Sequence, residues 1–385
     1  MNITVYCQHV VGIGHLCRML QILKALAGHS VTLILGGPPV DVTIPPHVHV
    51  VQLPGLMMDQ EYTRMFPVDP GLSLAETKRI RPEILLKLVE DTKPDVLLVE
   101  LYPFGRGGFH FELAPMLNAV RTGIHQPCPI VCSLRDILVE KKNQPEYEKR
   151  VLDRLAPFDA VLVHGDPNII RLDETFSRTA DIRIPVLYTG YICEKAKSNE
   201  IQQIKALMQL APDEQLITVS AGGGSFGYRI LEAAIKAHAS LESDRIRMQV
   251  FTGPYLDEKK YSTLNMLAAP GAKVERFADN FPVWLAASDL SISMGGYNTT
   301  MNVVASGTPA LIFPYSHDRE QGMRAERLAG LANLAVLSDS DLAPAGLAAK
   351  IRSMLGQPNQ GHEIEIDGAR QTAKYLEKLT RNKST

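Results

Sequence analysis

Along the chain, short runs of consecutive apolar residues alternate with longer stretches whose apolar positions recur at helical spacing. The first pattern reads as strands buried on both faces and the second as amphipathic helices, so their alternation predicts βα units around parallel sheets. In the first half the strand-like runs fall at 3–7, 31–35, 48–53, 95–99, 129–133 and 159–163, with helices expected over 15–27, 73–90 and 146–155. A second series places strands at 216–220, 246–251, 273–277, 289–293, 310–313 and 333–336, with helices starting near Tyr228, Asp257, Thr299 and Arg319. The polar stretch 191–200 lacks strand character and is the expected linker. The predicted fold class is α/β: two doubly wound, Rossmann-like domains with an interdomain cleft. The expected domains are 1–195 and 196–385, the last helix, about 367–381, being a candidate to pack back on the first domain.

Composition narrows the function classes. A chain of 385 residues is too long for one compact core. Hydrophobic residues make up 45% and charged residues 21%, the balance of a folded, soluble protein. Forty Lys and Arg stand against 42 Asp and Glu, a net charge of -2, which weighs against nucleic acid as a partner. No apolar run approaches the ~20 residues of a transmembrane helix, and the start has neither a basic n-region nor a cleavage site. The 5 cysteines, at 7, 17, 128, 132 and 193, lack zinc-site spacing and read as reduced thiols, so the expected location is cytoplasmic. Cys128 and Cys132 flank an apolar strand and read as core. Leu56, Met57, Met58, Met65 and Phe66 form an apolar loop that could touch a lipid-like acceptor or pack inward, so peripheral membrane contact stays open.

Four loops carry candidate chemistry, each leaving a strand and entering a helix, where ligands gather in doubly wound folds. The first runs from Gly12 through Gly14 and His15 to Arg18. Its glycines allow close backbone approach, and His15 at the helix start is kept neutral by the helix dipole, as a proton acceptor must be. The string is not a dinucleotide fingerprint: a third glycine is missing, and the second strand ends in Gly36 and Gly37 rather than an acid. The second loop, Gly222, Gly223, Gly224 and Ser225, forms a nest of N–H donors suited to a diphosphate but lacks the Walker lysine. The third is the densest: Gly295 and Gly296 turn the chain, then Asn298, Thr299 and Thr300 open a helix that also carries Asn302. The fourth offers His317, Glu320 and Gln321, polar groups that can bond sugar hydroxyls or cap a helix. At first-half strand ends stand Glu100, Asp136 and His164, with Arg106 in a glycine-rich loop. The pair Asp339 and Asp341 resembles a metal-binding Asp-x-Asp, but the following helix-forming run makes Asp341 an N-cap, and no metal is expected.

These strings resemble the nucleotide-sugar half of GT-B glycosyltransferases, most closely the family containing the enzyme that adds N-acetylglucosamine to lipid I (glycosyltransferase family 28-like). The order carries the likeness: a glycine–serine loop, a Gly-rich turn opening a helix, a Gly-x-Pro at Gly307 and Pro309, and a Gln-containing helix start. The strings 100–106, 133–136 and 164–167 further resemble a group of predicted bacterial glycosyltransferases. The resemblance implies that Gly223, Gly224, Ser225 and the helix opened by Thr299 and Thr300 meet the donor diphosphate. It also implies that Phe277 and Ala278 offer backbone groups to the base, and that Glu320 and Gln321 hold the donor sugar. One departure is Asn302, where relatives usually place a Glu on the ribose hydroxyls; Asn lacks the charge-assisted bonds of a carboxylate.

The expected activity is thus metal-independent, inverting transfer of a sugar from a nucleoside-diphosphate sugar, UDP-linked, to a small-molecule or lipid-linked acceptor hydroxyl. No cofactor is expected beyond that co-substrate. His15 is the first candidate base, followed by Asp136 and Glu100. Gly14, Gly295, Gly296, Asn298 and His317 complete the donor side, and Arg106 and His164 the acceptor side. The alternatives are a nucleotide-sugar hydrolase of the pseudaminic-acid type, which shares the first loop, and a non-catalytic sugar-nucleotide-binding protein. Oligomeric state is not legible.

Overall fold

The computed structural model describes residues 1–10, 13–59, 63–122, 127–223, 226–241, 245–315, 319–358 and 363–381. The chain divides into two units, Met1–Ile192 with Glu365–Thr385, and Cys193–Ile364.

In the first unit, β1 (Asn2–Cys7) leads through α1 (Gly14–Ala25) to β2 (Ser30–Leu35) and β3 (Val48–Gln52). A short antiparallel hairpin of β4 (Leu56–Met58) and β5 (Met65–Pro67) follows, then α2 (Leu74–Thr92) and β6 (Val96–Glu100). Next come α3 (His110–Thr122), β7 (Ile130–Arg135), α4 (Gln144–Arg154), β8 (Ala160–His164) and β9 (Val186–Tyr188). Seven of these strands form one parallel sheet in the order β3-β2-β1-β6-β7-β8-β9. Alternate residues of its central strands serve opposite faces. Tyr6, Leu97 and Val99 join a core with Leu113 and Met116 of α3, whereas Val5, Val96 and Leu98 join one with Leu16 and Ile22 of α1. Burial on both faces is why these strands read as unbroken apolar runs.

The second unit repeats the plan. Its elements are α5 (Ser198–Met208), β10 (Gln215–Ser220), α6 (Tyr228–Ala239), β11 (Ile246–Phe251), α7 (Glu258–Leu267), β12 (Ala272–Glu275) and α8 (Phe281–Ala287). They continue with β13 (Leu290–Met294), α9 (Tyr297–Ser306), β14 (Ala310–Phe313), α10 (Arg319–Ala329), β15 (Leu334–Val336) and α11 (Pro344–Met354). The six strands run parallel in the order β12-β11-β10-β13-β14-β15. In both sheets the strand order reverses beside the first strand, between β1 and β6 and between β10 and β13. Those reversals are the switch points where doubly wound folds hold ligands.

The last helix, α12 (Gly368–Arg381), belongs to the first unit and lies against α1. Its start is tightly fitted: a Cβ on Gly368 would collide with the Gly190 carbonyl, and Ile192 bridges to Asp367. The expected linker is shorter than 191–200, because α5 begins at Ser198. The strand expected over 273–277 ends at Glu275, which frees Phe277 from the sheet. Asp341 does not cap α11, whose N-cap position is Ala343. Its carboxylate instead accepts from Ser338 N and Oγ, both at 2.7 Å, and pairs with Lys350 Nζ at 3.2 Å. Among the described residues no helix is long and apolar enough to cross a membrane.

Candidate active site

The first unit's switch point is built on a buried ionic frame. Arg81 of α2 and Glu112 of α3 are both 0% exposed. Arg81 Nε donates to Glu112 Oε2 and Nη2 to Oε1, each at 2.6 Å, while Tyr6 Oη donates to Oε1 at 2.5 Å. The remaining guanidinium donors reach Gly36 O (2.7 Å), Pro54 O (2.9 Å) and Gln8 Oε1 (2.7 Å). Gln8 Nε2 in turn donates to His9 O and Leu56 O, at 2.7 and 3.0 Å. Every buried charge here is matched, as a low-dielectric interior requires. The result fixes the chain where it leaves β1, at Gln8 and His9.

On that exit sits a three-residue cluster. His15, in the first turn of α1, places Nδ1 2.6 Å from Oε1 of Glu100, the last residue of β6. Arg18, one turn further along the same helix face, donates from Nη2 to the same oxygen at 2.6 Å. Glu100 is wholly buried, Arg18 nearly so, and the His15 side chain keeps 20% of its surface in solvent. Burial would raise the Glu100 carboxyl, but His15, Arg18 and Arg106 lower it to about 2. Burial, helped by the Arg106 and Arg18 charges and opposed by Glu100, lowers His15 to about 4. At neutral pH the pair is therefore carboxylate and neutral imidazole. An ionised carboxylate only accepts, so the proton of the 2.6 Å bond belongs to Nδ1 and the lone pair to Nε2. That tautomer can take a proton from a hydroxyl.

The loop after β6 is held in costly conformations. Leu101 has φ 64° and Arg106 φ 57°, the left-handed region that non-glycine residues avoid. Among the described residues Arg106 Nε and Glu100 Oε2 are buried without hydrogen-bond partners. Strain and unmet polar atoms in one loop at a switch point mark a place that a ligand completes.

Two other candidates from the first half turn inward. His164 is 0% exposed; its Nε2 meets Ser133 Oγ at 2.7 Å and its Nδ1 meets Thr189 Oγ1 at 2.9 Å. With both ring nitrogens engaged and burial holding its pKa down at about 3, it ties β7, β8 and the segment after β9 together rather than facing an acceptor. Asp136 is likewise 0% exposed and accepts from Ile137 N at 2.9 Å. Neither is placed to meet a substrate hydroxyl.

The second unit's switch point has a different makeup. After β10, Gly222 takes φ +62°, open to glycine at no steric cost, and its N–H donates to Ser220 Oγ at 3.1 Å. A Cβ there would lie 3.9 Å from Thr299 Oγ1, so this loop faces the first turn of α9. No side chain caps α9, because its N-cap residue is Gly296. Thr300 Oγ1 and Ser293 Oγ, both wholly buried, have no hydrogen-bond partner among the described residues. Arg324, also buried, lies over the Tyr297 ring at 5.2 Å and reaches Gly295 O at 3.5 Å. An uncapped helix start, a left-handed glycine loop, unmet hydroxyls and a buried guanidinium form a cradle for an anion.

Around the cradle, Gln321 Oε1 accepts from Tyr315 N at 3.1 Å, and its side chain lies where a Cβ on Gly295 would meet it at 3.2 Å. Glu320 is buried in the first turn of α10, and Asn298 sits half-buried in that of α9. Phe277 is exposed and Ala278 packs under α8. The Asn302 oxygen, expected near a ribose, accepts from Glu194 N at 3.4 Å. Gly14 opens α1 in the first unit. Gly224, Ser225 and His317 lie outside the described residues. The residue-level reading missed the part played by Arg18, although its spacing of three from His15 signals a shared helix face. It also missed Arg81 and Glu112, which no motif announces.

Residues 218–378 match the glycosyltransferase family 28 C-terminal domain. A protein of Methanosarcina mazei described as an uncharacterized glycosyltransferase is 26% identical over 338 residues, 80% of this chain and 79% of its own length. The UDP-N-acetylglucosamine--N-acetylmuramyl-(pentapeptide) pyrophosphoryl-undecaprenol N-acetylglucosamine transferase of Methylococcus capsulatus is 29% identical over 156 residues, 40% of this chain and 44% of the enzyme. The crystal structure of Acinetobacter baumannii MurG superposes with a TM-score of 0.54 at 14% identity, covering 99% of this chain and 98% of that one. At that identity the likeness shows the fold, which is GT-B.

Proposed function

Because the chain has the GT-B fold and carries a glycosyltransferase family 28 C-terminal domain, we propose that it moves a sugar from a nucleoside-diphosphate sugar, UDP-linked and of N-acetylhexosamine type, to an acceptor hydroxyl. The observation that carries this reading is the anion cradle at the second unit's switch point, which lies inside the matched domain. The diphosphate sits on the α9 N-terminus and the Gly222–Gly223 backbone, with Thr300 Oγ1 and Ser293 Oγ as donors.

The acceptor oxygen attacks the anomeric carbon while His15 Nε2 takes its proton. The bond from that carbon to the donor's β-phosphate oxygen breaks, and its electron pair leaves with the nucleoside diphosphate. Glu100 holds the imidazole in the needed tautomer and offsets the charge it gains. Helix dipole and backbone donors stabilise the leaving diphosphate, so no metal is required. Attack from the face opposite the phosphate inverts the anomeric centre. The acceptor is a small-molecule or lipid-linked alcohol, recognised beside Arg106.

Titration of the full chain with UDP, followed by assay of UDP-sugars with and without candidate acceptors in EDTA, tests each part. Micromolar UDP binding and acceptor-dependent UDP release are expected. Free sugar released at the same rate without acceptor would make the protein a hydrolase. Binding without turnover of any donor would make it a sensor, and activity that returns only with magnesium or manganese would overturn the metal-free chemistry.

A further inference from the structure

Three half-exposed aromatic rings crowd the loops of the second unit: Phe226 at 51%, Tyr255 at 50% and Phe277 at 50%. Tyr255 is tied to the glycine loop, its N–H donating to Gly223 O at 3.2 Å. Phe226 does something else. It follows the glycine loop and stacks on Tyr315, from the loop after β14, with ring centroids 4.8 Å apart and planes 28° from parallel. The pair therefore joins the loop after β10 to the loop after β14. Both ends are anchored. A Cβ on Gly227 would collide with Ala221, which pins the backbone beside Phe226 to the strand end, and Tyr315 N is held by Gln321 against Gly295. Tyr315 packs partly buried against the unit's core, whereas Phe226 leaves half of its surface exposed, more than core packing asks of it.

The order of strands gives the pair an occupant. Along the sheet run β12, β11, β10, β13 and β14. The anion cradle lies after the middle two, β10 and β13. Phe277 follows β12, two strands from β10, whereas Tyr315 follows β14, one strand from β13. At ~4.8 Å per strand these are offsets of about 10 and about 5 Å. A nucleoside-diphosphate sugar has the same asymmetry about its diphosphate: a ribose intervenes before the base, but the sugar is bonded directly to the terminal phosphate. With the base on the Phe277 side, as the resemblance implies, the sugar lies on the β14 side, where the described residues present Phe226, half-exposed and stacked on Tyr315.

Resting on the donor reading above, we propose that the Phe226–Tyr315 pair is the platform for the donor's sugar. Its aromatic surface packs against the sugar's C–H face, and Gln321, bonded to the same loop, reads the hydroxyl edge. This makes Phe226 a specificity-determining residue: it favours pyranoses that present an unsubstituted apolar face and contributes nothing to the nucleotide.

The test compares affinities of the full chain for UDP and for UDP-N-acetylglucosamine, UDP-glucose and UDP-galactose by calorimetry, in the wild type and in Phe226→Ala, Phe226→Leu and Phe226→Tyr. For at least one sugar, Phe226→Ala and Phe226→Leu should raise the ratio of UDP-sugar Kd to UDP Kd by about tenfold, with the UDP Kd itself within about twofold of wild type. Phe226→Tyr, which keeps the ring, should hold the wild-type ratio. An unchanged ratio for every sugar overturns the proposal. So does a parallel loss of UDP and UDP-sugar binding, which would make Phe226 a support of the glycine loop. A wild type that binds no UDP overturns the donor reading itself, and does so before any substitution is made.

Discussion

The two units share one plan, a parallel sheet whose order reverses beside its first strand, yet they have placed opposite chemistries at the same topological point. In the first, the reversal is lined with titratable groups, His15, Glu100, Arg18 and Arg106, two of them pushed well away from their ordinary pKa values. In the second, the described part of the reversal is lined with backbone, hydroxyls and the buried guanidinium of Arg324, with Glu320 and Gln321 beside it. On the function proposed above, one site moves a proton and the other holds the donor's charge. The fold supplies the location, and side chains supply the function.

The largest expected effect breaks the first site alone. His15→Ala should lower kcat by about 10²–10⁴-fold, the usual loss of a general base, while UDP affinity stays within about threefold, because the cradle residues belong to the other unit. The rate profile sharpens this. With His15 lowered to about 4, the active, unprotonated base persists well below neutrality, so kcat/KM should fall only as pH drops through about 4. An acid limb near the ordinary histidine value would show that the base is not this buried imidazole. A correctly folded His15→Ala protein with near wild-type turnover would leave the dyad a structural cap.

The second site should respond with opposite signs in stability and binding. Thr300→Val removes a buried hydroxyl that has no partner among the described residues and keeps its shape. The free protein should gain about 1 kcal/mol, while UDP binding weakens by roughly 10–100-fold, the loss of one bond to a charged group. Thermal melts with and without UDP measure both. A destabilised variant with unchanged UDP affinity would mean that the hydroxyl serves the fold and not the ligand.

Much of this plan was legible in the chain, for definite reasons. Strands such as β6 are buried on both faces, so residues 96–99 are continuously apolar and nothing competes with that signal. The switch-point loops were legible because glycine is used where the backbone must turn or approach closely, as at Gly222. What the sequence hid depends on distance. Arg81 and Glu112 are 31 residues apart and form a wholly buried pair only because α2 and α3 pack together. His164 looked like a strand-end ligand, but its partner Thr189 comes from a segment after β9, a strand too short to show periodicity. The helix α5 was hidden by its polarity, with Ile204 its one buried residue.

Acid should weaken the first unit's fold through its histidines. His15 and His164 are lowered in the folded state, so between the ordinary histidine pKa and their folded values the unfolded chain holds protons that the native one refuses. Stability therefore falls as pH drops from about 6.5, by about 1.4 kcal/mol per pH unit for each histidine, until each folded value, about 4 and about 3, is passed. Glu100, lowered to about 2, adds a loss of the same sign below the ordinary carboxylate range. Urea midpoints at stepped pH should show this slope, and His164→Asn, which removes one titrating group, should make it shallower. A flat midpoint between pH 6.5 and 4 would contradict the buried neutral imidazoles.

The smallest effect concerns the Asp-x-Asp string, which follows β15 at the edge of the second sheet. Asp341 closes a turn by accepting two bonds from Ser338, while Asp339 pairs with Arg229 at 2.7 Å. The two carboxylates are committed to separate local partners, Asp341 inside its own turn and Asp339 at the start of α6. Asp341→Asn keeps the acceptor oxygen and loses the charge, so it should cost about 0.5–1 kcal/mol, visible as a melting shift of about 1–4 °C in a unit of this size. Turnover should be unchanged, and so should its response to manganese. If the same substitution instead abolished activity while the melt stayed put, the string would have to be reassigned from a cap to the chemistry, and the division of labour between the two switch points would no longer account for catalysis.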